Sequence, residues 1–493
     1  MSRPPLLLFA LLCSLSLFAQ KQHRQLPLDT AIVSENTVRI KGKAVPYEVE
    51  TGVQPVYDDN GKVTAGLHYT YYRRTDQTDP NRPLLISFNG GPGSASVWMH
   101  LAYTGPKVLN IDEEGYPVQP YGISDNPYSV LDLTDIVYVN PVNTGFSRMV
   151  EGADREQFFG VNQDIKYLAD WISNWVSRHD RWRSPKFLIG ESYGTTRVSG
   201  LALELQDNRW MYLNGVILVS PTEIGIERAG IVEAANQLPY FAAAAWYHKQ
   251  LPTELQSMEL EPLLAEVEAY TRNELLPALA SGMDLSDARR REVAAAAARY
   301  SGLDAQEWLD NNLMPSAAYF WKNLLRGEEA GNYTVGRLDS RYRGVDARAA
   351  GERPDYNSEL TSWLHSFTPA INYYLREELG FRTDLQYHMF GPVHPWDRSG
   401  DRTGYNLQQA MAMNPYLNVM IQSGYFDGAT NYYDAKYTLW HLDPSGRMRD
   451  RLSFKGYESG HMMYLRRPDL EAANEDVRTF IRASLPGEKP ARY

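Results

Sequence analysis

The chain has 493 residues, of which 43% are hydrophobic, and a formal net charge of -11. A chain of this length and apolar content can bury a large core, which excludes a disordered protein and suggests two domains or one large domain with an insertion. The negative charge and the lack of a basic block argue against nucleic-acid binding, so no nucleic-acid partner is expected.

Residues 1–19 are predicted to be a secretory signal peptide. Arg3 precedes an apolar segment, residues 6–18, that has small residues near its end. The segment is short for a bilayer span, which disfavours a membrane anchor, so no membrane contact is expected after cleavage. The single cysteine, Cys13, lies within it, and Leu12 does not suit a lipoprotein cleavage site. An exported protein whose mature form has no cysteine is typical of a bacterial periplasmic or secreted enzyme.

Residues 20–223 are predicted to alternate between strands and helices and to form the first part of an α/β core. Residues 37–72 are rich in strand formers and contain the hairpin signal Asp-Asn-Gly. Alternating strands and helices indicate a mostly parallel central sheet flanked by helices. Buried strands are predicted at residues 83–88, 135–139, 187–189 and 216–219, and a helix is predicted over residues 159–179.

The segment at residues 186–197 places Ser192 between a predicted strand and a predicted helix. Gly190 and Gly194 flank the serine in a G-x-S-x-G pattern, where a tight reversal would press a β-carbon against neighbouring backbone. Such a nucleophile elbow presents the hydroxyl at its apex, near a helix N-terminus that favours a developing oxyanion. The pattern also arises by chance, so its meaning depends on its context.

A glycine-rich segment, Asn-Gly-Gly-Pro-Gly at residues 89–93, follows the strand predicted at residues 83–88. Glycine allows backbone N–H groups to face a ligand, although the same residues could form an ordinary tight loop. Hydrolases with a nucleophile elbow bind the oxyanion with a loop after an early strand. We therefore interpret residues 89–93 as the oxyanion loop.

Residues 224–384 are predicted to be a largely helical cap insertion, with alanine-rich turns and charged runs. Residues 385–493 return to strand signals and end in an amphipathic helix, and are predicted to complete the α/β core. Ligands of α/β folds bind at the carboxyl edge of the sheet, so we expect the cap to lie there and to shape a pocket. The predicted fold class is α/β, with a mostly parallel central sheet flanked by helices and a largely helical cap insertion.

A serine at an elbow needs a base and an acid, which follow it in the order serine, acid, histidine. Asp427 follows a predicted strand, although it could also serve only as a turn residue. His461 lies between the last predicted strand and the last helix, although it could be an ordinary surface histidine. Five other histidines after the serine lack this strand-loop context or lie in cap sequence: His248, His365, His388, His394 and His441.

Six short motifs are distributed over both predicted parts of the core. They are Asn-Gly-Gly-Pro-Gly at residues 89–93, Gly-Pro at 105–106, Asn-Pro-Tyr at 126–128, Thr-Gly-Phe-Ser at 144–147, Gly-Glu-Ser-Tyr at 190–193 and Gly-His-Met at 460–462. In this order and approximate spacing, the sequence resembles the serine carboxypeptidases. The resemblance does not cover the cap, and it implies an α/β-hydrolase fold and removal of single residues from peptide C-termini.

The resemblance also implies a role for each matching residue. Ser192 would be the nucleophile, His461 the base and Asp427 the orienting acid. The backbone N–H groups of Gly91 and Tyr193 would form the oxyanion hole.

The resemblance further implies a site for the terminal carboxylate of a peptide. Asn89 and Glu191 would bind it, with Glu191 as a protonated acid that donates a hydrogen bond. A carboxyl beside a bound carboxylate resists ionisation, so its pKa rises and acidic solution favours binding. Alternatively, Glu191 is an ordinary elbow residue paired with a nearby amide. Met462 would line the pocket for the leaving residue.

Two residues depart from the family pattern near this site. Ser87 stands where the family usually has a tryptophan that donates to the carboxylate. Tyr103 stands where a second family glutamate pairs with the glutamate of the elbow. Without that partner, Glu191 is expected to titrate at lower pH, and the acid optimum is expected to weaken.

The sequence thus predicts an exported serine carboxypeptidase-like hydrolase that acts on peptide substrates through an acyl-enzyme. An esterase, acyltransferase or aminopeptidase could use the same triad, because fold does not fix the substrate. A non-catalytic peptide-binding protein is a more remote alternative. No cofactor or metal motif is found, so none is expected, and the oligomeric state stays open between monomer and homodimer.

Overall fold

A mixed β-sheet forms the centre of the protein. The computed structural model describes residues 26, 28–327, 331–487 and 489–491, so the predicted signal peptide lies outside the described residues. The described strands are β1 (Thr30–Ile40), β2 (Lys43–Tyr57), β3 (Val63–Arg74), β4 (Leu84–Phe88), β5 (Lys107–Leu109), β6 (Ile123–Asp125), β7 (Asp135–Val139), β8 (Arg148–Met149), β9 (Lys186–Glu191), β10 (Gly215–Val219), β11 (Thr334–Val335), β12 (Arg343–Gly344), β13 (Asn418–Gly424) and β14 (Leu452–Tyr457).

The main sheet has the order β1-β2-β3-β7-β4-β9-β10-β13-β14, and β8 pairs with β3. All neighbours from β7 to β14 run parallel, whereas β1, β2, β3 and β7 pair antiparallel. The strands β4, β7, β9 and β10 are buried along their whole length, as expected for parallel strands covered on both faces. The predicted strands of the core and the mostly parallel sheet are confirmed.

Helices cover both faces of this sheet. Along β9, Phe187 and Ile189 join one hydrophobic cluster and Leu188 joins the other, as the alternation of side chains in a strand requires. The described helices are α1 (Val97–Ala102), α2 (Val161–Arg178), α3 (Tyr193–Arg209), α4 (Ile231–Tyr247), α5 (Thr253–Gln256), α6 (Leu260–Tyr270), α7 (Leu276–Ser281), α8 (Asp287–Ser301), α9 (Ala305–Asp310), α10 (Ala317–Asn323), α11 (Ser358–Tyr373), α12 (Thr403–Met413), α13 (Tyr432–Leu442) and α14 (Arg467–Ala483). Helices α1, α11 and α14 pack on one face, and α2, α3 and α12 pack on the other.

A third hydrophobic cluster lies at the carboxyl edge of the sheet. It is built mainly by α4, α6, α7 and α8 within the predicted cap, and it includes Tyr425 and Phe426, which directly follow β13. By contrast, α11 contributes Trp363 and Phe367 to a cluster of the central sheet. The helices of the third cluster therefore cover the edge at which the parallel strands end.

Over the residues that the structure describes, no helix is both long and apolar enough to cross a bilayer.

Candidate active site

Ser192 lies at the turn between β9 and α3. Its φ of 57° and ψ of -126° lie outside the regions that non-glycine residues usually adopt. The flanking residues must be glycines, because a side chain at either position would contact neighbouring backbone too closely. A β-carbon on Gly190 would lie 2.2 Å from the carbonyl oxygen of Gly194, and one on Gly194 would lie 2.9 Å from the carbonyl oxygen of Phe88. The sequence pattern therefore forms the predicted elbow, with Ser192 facing a cavity at the carboxyl edge of the sheet.

The glycine-rich loop lies directly against this elbow. A β-carbon on Gly90 would be 2.5 Å from the backbone nitrogen of Tyr193, and Gly91 has a φ of 102° that favours glycine. Tyr193 is the first residue of α3, so its N–H has no acceptor within the helix. Gly91 and Tyr193 both line the cavity beside Ser192. Their positions suit two backbone donors for an oxyanion.

A buried ion pair fixes the backbone of the loop. Arg197 Nε donates to Asp164 Oδ2 at 2.6 Å, and both side chains are buried. The same guanidinium donates to the carbonyl oxygens of Asn89 at 2.6 Å and Pro92 at 3.3 Å. Because Arg197 belongs to α3, it ties the glycine-rich loop to the helix that begins beside Ser192.

His461 and Asp427 lie in hydrogen-bonding contact, as the sequence suggested. The distance from His461 Nδ1 to Asp427 Oδ2 is 2.7 Å. Asp427 Oδ1 accepts the backbone N–H groups of Ala429 at 2.8 Å and Thr430 at 3.1 Å, and Thr430 Oγ1 donates to Oδ2 at 2.8 Å. These bonds hold the buried carboxylate against Nδ1 of the imidazole.

The pKa of His461 lies above its ordinary value. Burial alone lowers this pKa, but the charge and the hydrogen bond of Asp427, together with the charge of Glu191, outweigh burial. His461 lines the same cavity as Ser192. The imidazole is thus a stronger base than an isolated histidine.

A segment that we call the strap, residues 336–341, holds the acid and base loops together. The N–H of His461 donates to the carbonyl of Leu338 at 2.6 Å, and the N–H of Gly428 donates to the carbonyl of Arg337 at 3.0 Å. Arg341 Nη2 donates to Ser459 Oγ at 3.1 Å. The strap lies within the predicted cap, so a segment of the predicted cap holds the loops of Asp427 and His461.

Glu191 ends β9 and is buried behind the elbow. Asn89 Nδ2 donates to its Oε1 at 3.1 Å, and the Tyr464 hydroxyl donates to its Oε2. Asn89 Oδ1 accepts the backbone N–H of Met99 at 3.0 Å, which directs the amide nitrogen toward Glu191. The carboxyl is therefore held from both sides.

Burial raises the pKa of Glu191 to about 7. Nearby His461 and the hydroxyl of Tyr464 lower this pKa, but they do not cancel the effect of burial. Tyr103 stacks on Tyr464 with ring centroids 4.7 Å apart and does not replace the second family glutamate directly. The second contact of Glu191 comes from Tyr464, and the carboxyl stays protonated in mildly acidic solution.

The cavity at this edge has a volume of 360 Å³. Its lining includes Gly91, Glu191, Ser192, Tyr193, His461 and Met462. Asn89 and Asp427 are fully buried behind the lining, where they contact Glu191 and His461. All eight side chains or backbone groups predicted for the site thus lie around one cavity.

Sequence reasoning missed three contributors to this site. Tyr464 follows His461 by three residues, but nothing in the local sequence pattern predicts its contact with Glu191. Thr430 lies just after Asp427, where a search for a side-chain donor to the carboxylate could have found it. The strap has no periodic pattern, so its contacts could not be inferred.

Metal-binding side chains are not clustered in the described part of the chain. Within that part, no group of three or more His, Cys, Asp or Glu side chains could hold a metal ion.

Comparison with known proteins adds family information to this geometry. The family model described as serine carboxypeptidase matches residues 44–319, more than half of the chain. Serine carboxypeptidase-like 8 of Arabidopsis thaliana is 26% identical over 170 residues, which cover 34% of this chain and 37% of that protein. Serine carboxypeptidase-like 13 of the same plant is 28% identical over 181 residues, covering 36% of this chain and 40% of that protein. The chain thus spans about two fifths of the length of these curated relatives.

Among solved structures, the fold is similar to that of a prohormone-processing carboxypeptidase from Saccharomyces cerevisiae. The TM-score is 0.52 at 14% identity, and the similarity covers 88% of this chain and 91% of the yeast chain. This likeness concerns the fold alone, and it confirms the predicted α/β-hydrolase architecture. From the family match over residues 44–319, we conclude that the chain belongs to the serine carboxypeptidase family.

Proposed function

We propose that this chain is an exported serine carboxypeptidase-like hydrolase that releases C-terminal residues from peptides. The observation that carries the proposal is the buried Glu191, held by Asn89 and Tyr464 beside the cavity of Ser192 and His461. With a pKa of about 7, Glu191 is largely protonated in acidic solution and can donate a hydrogen bond to the terminal carboxylate of a peptide. A neutral donor avoids placing an unpaired cation in a buried site.

In the proposed reaction, His461 Nε2 accepts the proton of the Ser192 hydroxyl as the serine oxygen attacks the scissile carbonyl carbon. The backbone N–H groups of Gly91 and Tyr193 stabilise the resulting oxyanion. The amine of the leaving residue takes the proton from His461 when the C–N bond breaks, which leaves an acyl-enzyme. Water then attacks the ester with His461 again as the base, and Asp427 keeps the imidazole oriented throughout.

The role of Glu191 places a constraint on the protonation of the site. The proposed reaction needs a protonated Glu191 and a neutral His461. If the proton of Glu191 moves to His461, the two groups form an ion pair, and the total charge of the site stays the same. The anion of Glu191 raises the pKa of His461, so the two groups titrate as a coupled pair. Activity on peptide acids is therefore expected only in a limited pH window.

We also propose the domain roles and the location. Residues 224–384 would cap the carboxyl edge and shape the peptide pocket, which the third hydrophobic cluster supports. Residues 1–19 would direct export, and the lack of cysteine after them supports a periplasmic or secreted protein of bacterial type.

The experiment is mass spectrometry of an N-blocked dipeptide acid and of its C-terminal amide, each incubated with the protein at several pH values. We expect the protein to release the last residue of the dipeptide acid, and we expect this release to be faster at mildly acidic than at alkaline pH. The Ser192→Ala variant should release none. Hydrolysis of the amide or of an ester, with the acid left intact, would instead favour an esterase or a related acyl-transfer activity and would overturn the carboxypeptidase proposal.

A further inference from the structure

Two arginines line the active-site cavity and are exposed. Arg337 belongs to the strap, and Arg398 lies in the loop that precedes α12. Among the described residues, no carboxylate forms an ion pair with either guanidinium, although the charge of Arg337 acts on the buried Glu359. Both cations are therefore available to a ligand in the cavity.

The carboxyls near the two arginines offset little of this charge in acidic solution, since burial raises the pKa of Glu359, which lies near Arg337, to about 7. Glu191 is the only described carboxyl side chain in its lining, and its pKa of about 7 leaves it largely neutral in acidic solution. Asp427 lies behind His461 and is paired with it. The lining of the cavity is thus positive in acidic solution, although the whole chain has a net charge of -11.

We propose that the cavity selects peptides with an acidic side chain in one of the two residues that flank the scissile bond. The inference rests on the proposed carboxypeptidase function, which already assigns the terminal carboxylate to Asn89 and Glu191. Arg337 and Arg398 then remain for a second carboxylate. A guanidinium can donate two parallel hydrogen bonds to a carboxylate, and it repels a lysine or arginine side chain of the substrate.

The test compares kcat/KM for N-blocked dipeptide acids that carry Ala, Glu or Lys on either side of the scissile bond. We expect the best Glu peptide to exceed the matching Lys peptide by at least about tenfold, since two partly exposed ion pairs contribute about fivefold each. Arg337→Gln and Arg398→Gln should each reduce this ratio about fivefold. High salt should also reduce it, because exposed charges are screened.

Arg183→Gln is the matched control. Arg183 is exposed before β9, at the edge of the sheet opposite to Ser192, so its loss changes the net charge equally without changing the cavity. An unchanged Glu-to-Lys ratio in both cavity variants, or an equal fall in the control, would overturn the inference.

Binding separates this inference from the proposed function. Calorimetry on Ser192→Ala measures the affinity for the same peptides without turnover, and we expect the same preference for Glu and the same loss in the Arg337→Gln background. Charge-selective binding without cleavage by the wild-type enzyme would overturn the function alone. Cleavage of the Ala peptide without any preference for Glu would overturn the inference alone.

Discussion

The proposed reaction requires that the carboxyl of Glu191 is protonated and that Nε2 of His461 is not. Glutamine at position 191 keeps a hydrogen-bond donor but cannot ionise. In Glu191→Gln, we expect the alkaline fall of kcat/KM on a peptide acid, centred near pH 7 in the wild type, to disappear. We also expect the acidic limb to move to lower pH, because the anion that raises the pKa of His461 is gone.

The measurement is kcat/KM against pH for an N-blocked dipeptide acid. An activated ester that lacks a terminal carboxylate is the control, since its hydrolysis needs no donor from Glu191. If the variant kept the bell-shaped pH profile of the wild type with the dipeptide acid as substrate, Glu191 would not be the group that sets the alkaline limb of that profile.

Tyr464 tunes the same carboxyl through its hydroxyl. Its hydrogen bond to Oε2 lowers the pKa of Glu191, so removing it in Tyr464→Phe should raise that pKa further. The alkaline limb on a peptide acid should then move to higher pH, by up to about one unit. Tyr103→Phe is the control, because the hydroxyl of Tyr103 donates to Gln422 instead. A shift toward lower pH in Tyr464→Phe would contradict this role.

At the scale of elements, the strap contacts the loops of Asp427 and His461, so we expect the proposed catalysis to depend on the predicted cap. A β-carbon on Gly460 would lie 2.5 Å from Cβ of Asp339 and 2.6 Å from the carbonyl oxygen of Leu338. Gly460→Ala must therefore displace the strap or the loop of His461. Because a misplacement of about 1 Å can cost about a hundredfold in rate, we expect labelling of Ser192 by a fluorophosphonate to slow at least about tenfold.

Gly487→Ala is the matched control, since nothing lies within 4 Å of the added carbon. Circular dichroism would establish that both variants are folded. A folded Gly460→Ala protein that reacts as fast as the control would mean that the strap does not position the histidine.

The regular elements were predictable because their signals are local. The strand predicted at residues 135–139 is observed as β7, since its apolar run is bounded by residues that interrupt strands. The strap was not predictable, because its contacts join distant parts of the chain: Arg341 and Ser459 are 118 residues apart. The proposed triad lies between these cases, because Ser192, Asp427 and His461 each follow a predictable strand.

At the scale of the whole molecule, two sets of buried ionisable groups have opposite effects on stability as pH changes. Burial lowers the pKa values of three histidines: His68 and His100 to about 3, and His248 to about 4. Burial raises the pKa values of three carboxyls: Glu191 and Glu359 to about 7, and Asp469 to about 6. In the folded protein, burial thus favours the neutral form of the groups in both sets.

These shifts have opposite signs in the free energy of unfolding. Below about pH 6.5 the unfolded chain binds more protons at the histidines, so stability falls as pH decreases toward 3. Above about pH 4.5 the folded chain retains protons at the carboxyls, so stability falls as pH increases toward 7. Since the two slopes oppose each other between these limits, we expect a broad maximum of Tm at about pH 4.5 to 6.5.

Glu359→Gln tests the carboxyl side of this balance. Oε1 of Glu359 accepts the N–H of Leu338 at 2.8 Å, and Oε2 is buried without a hydrogen-bond partner among the described residues, so an amide can replace the neutral acid. At pH 8 the free energy of unfolding of the variant should exceed that of the wild type by up to about 3 kcal/mol, because the buried anion is removed. At pH 4 the two proteins should differ little, since the acid is neutral whether the chain is folded or unfolded. Thermal and urea unfolding across this pH range measures both quantities, and a gain of equal size at pH 4 and pH 8 would show that ionisation of Glu359 does not cause it.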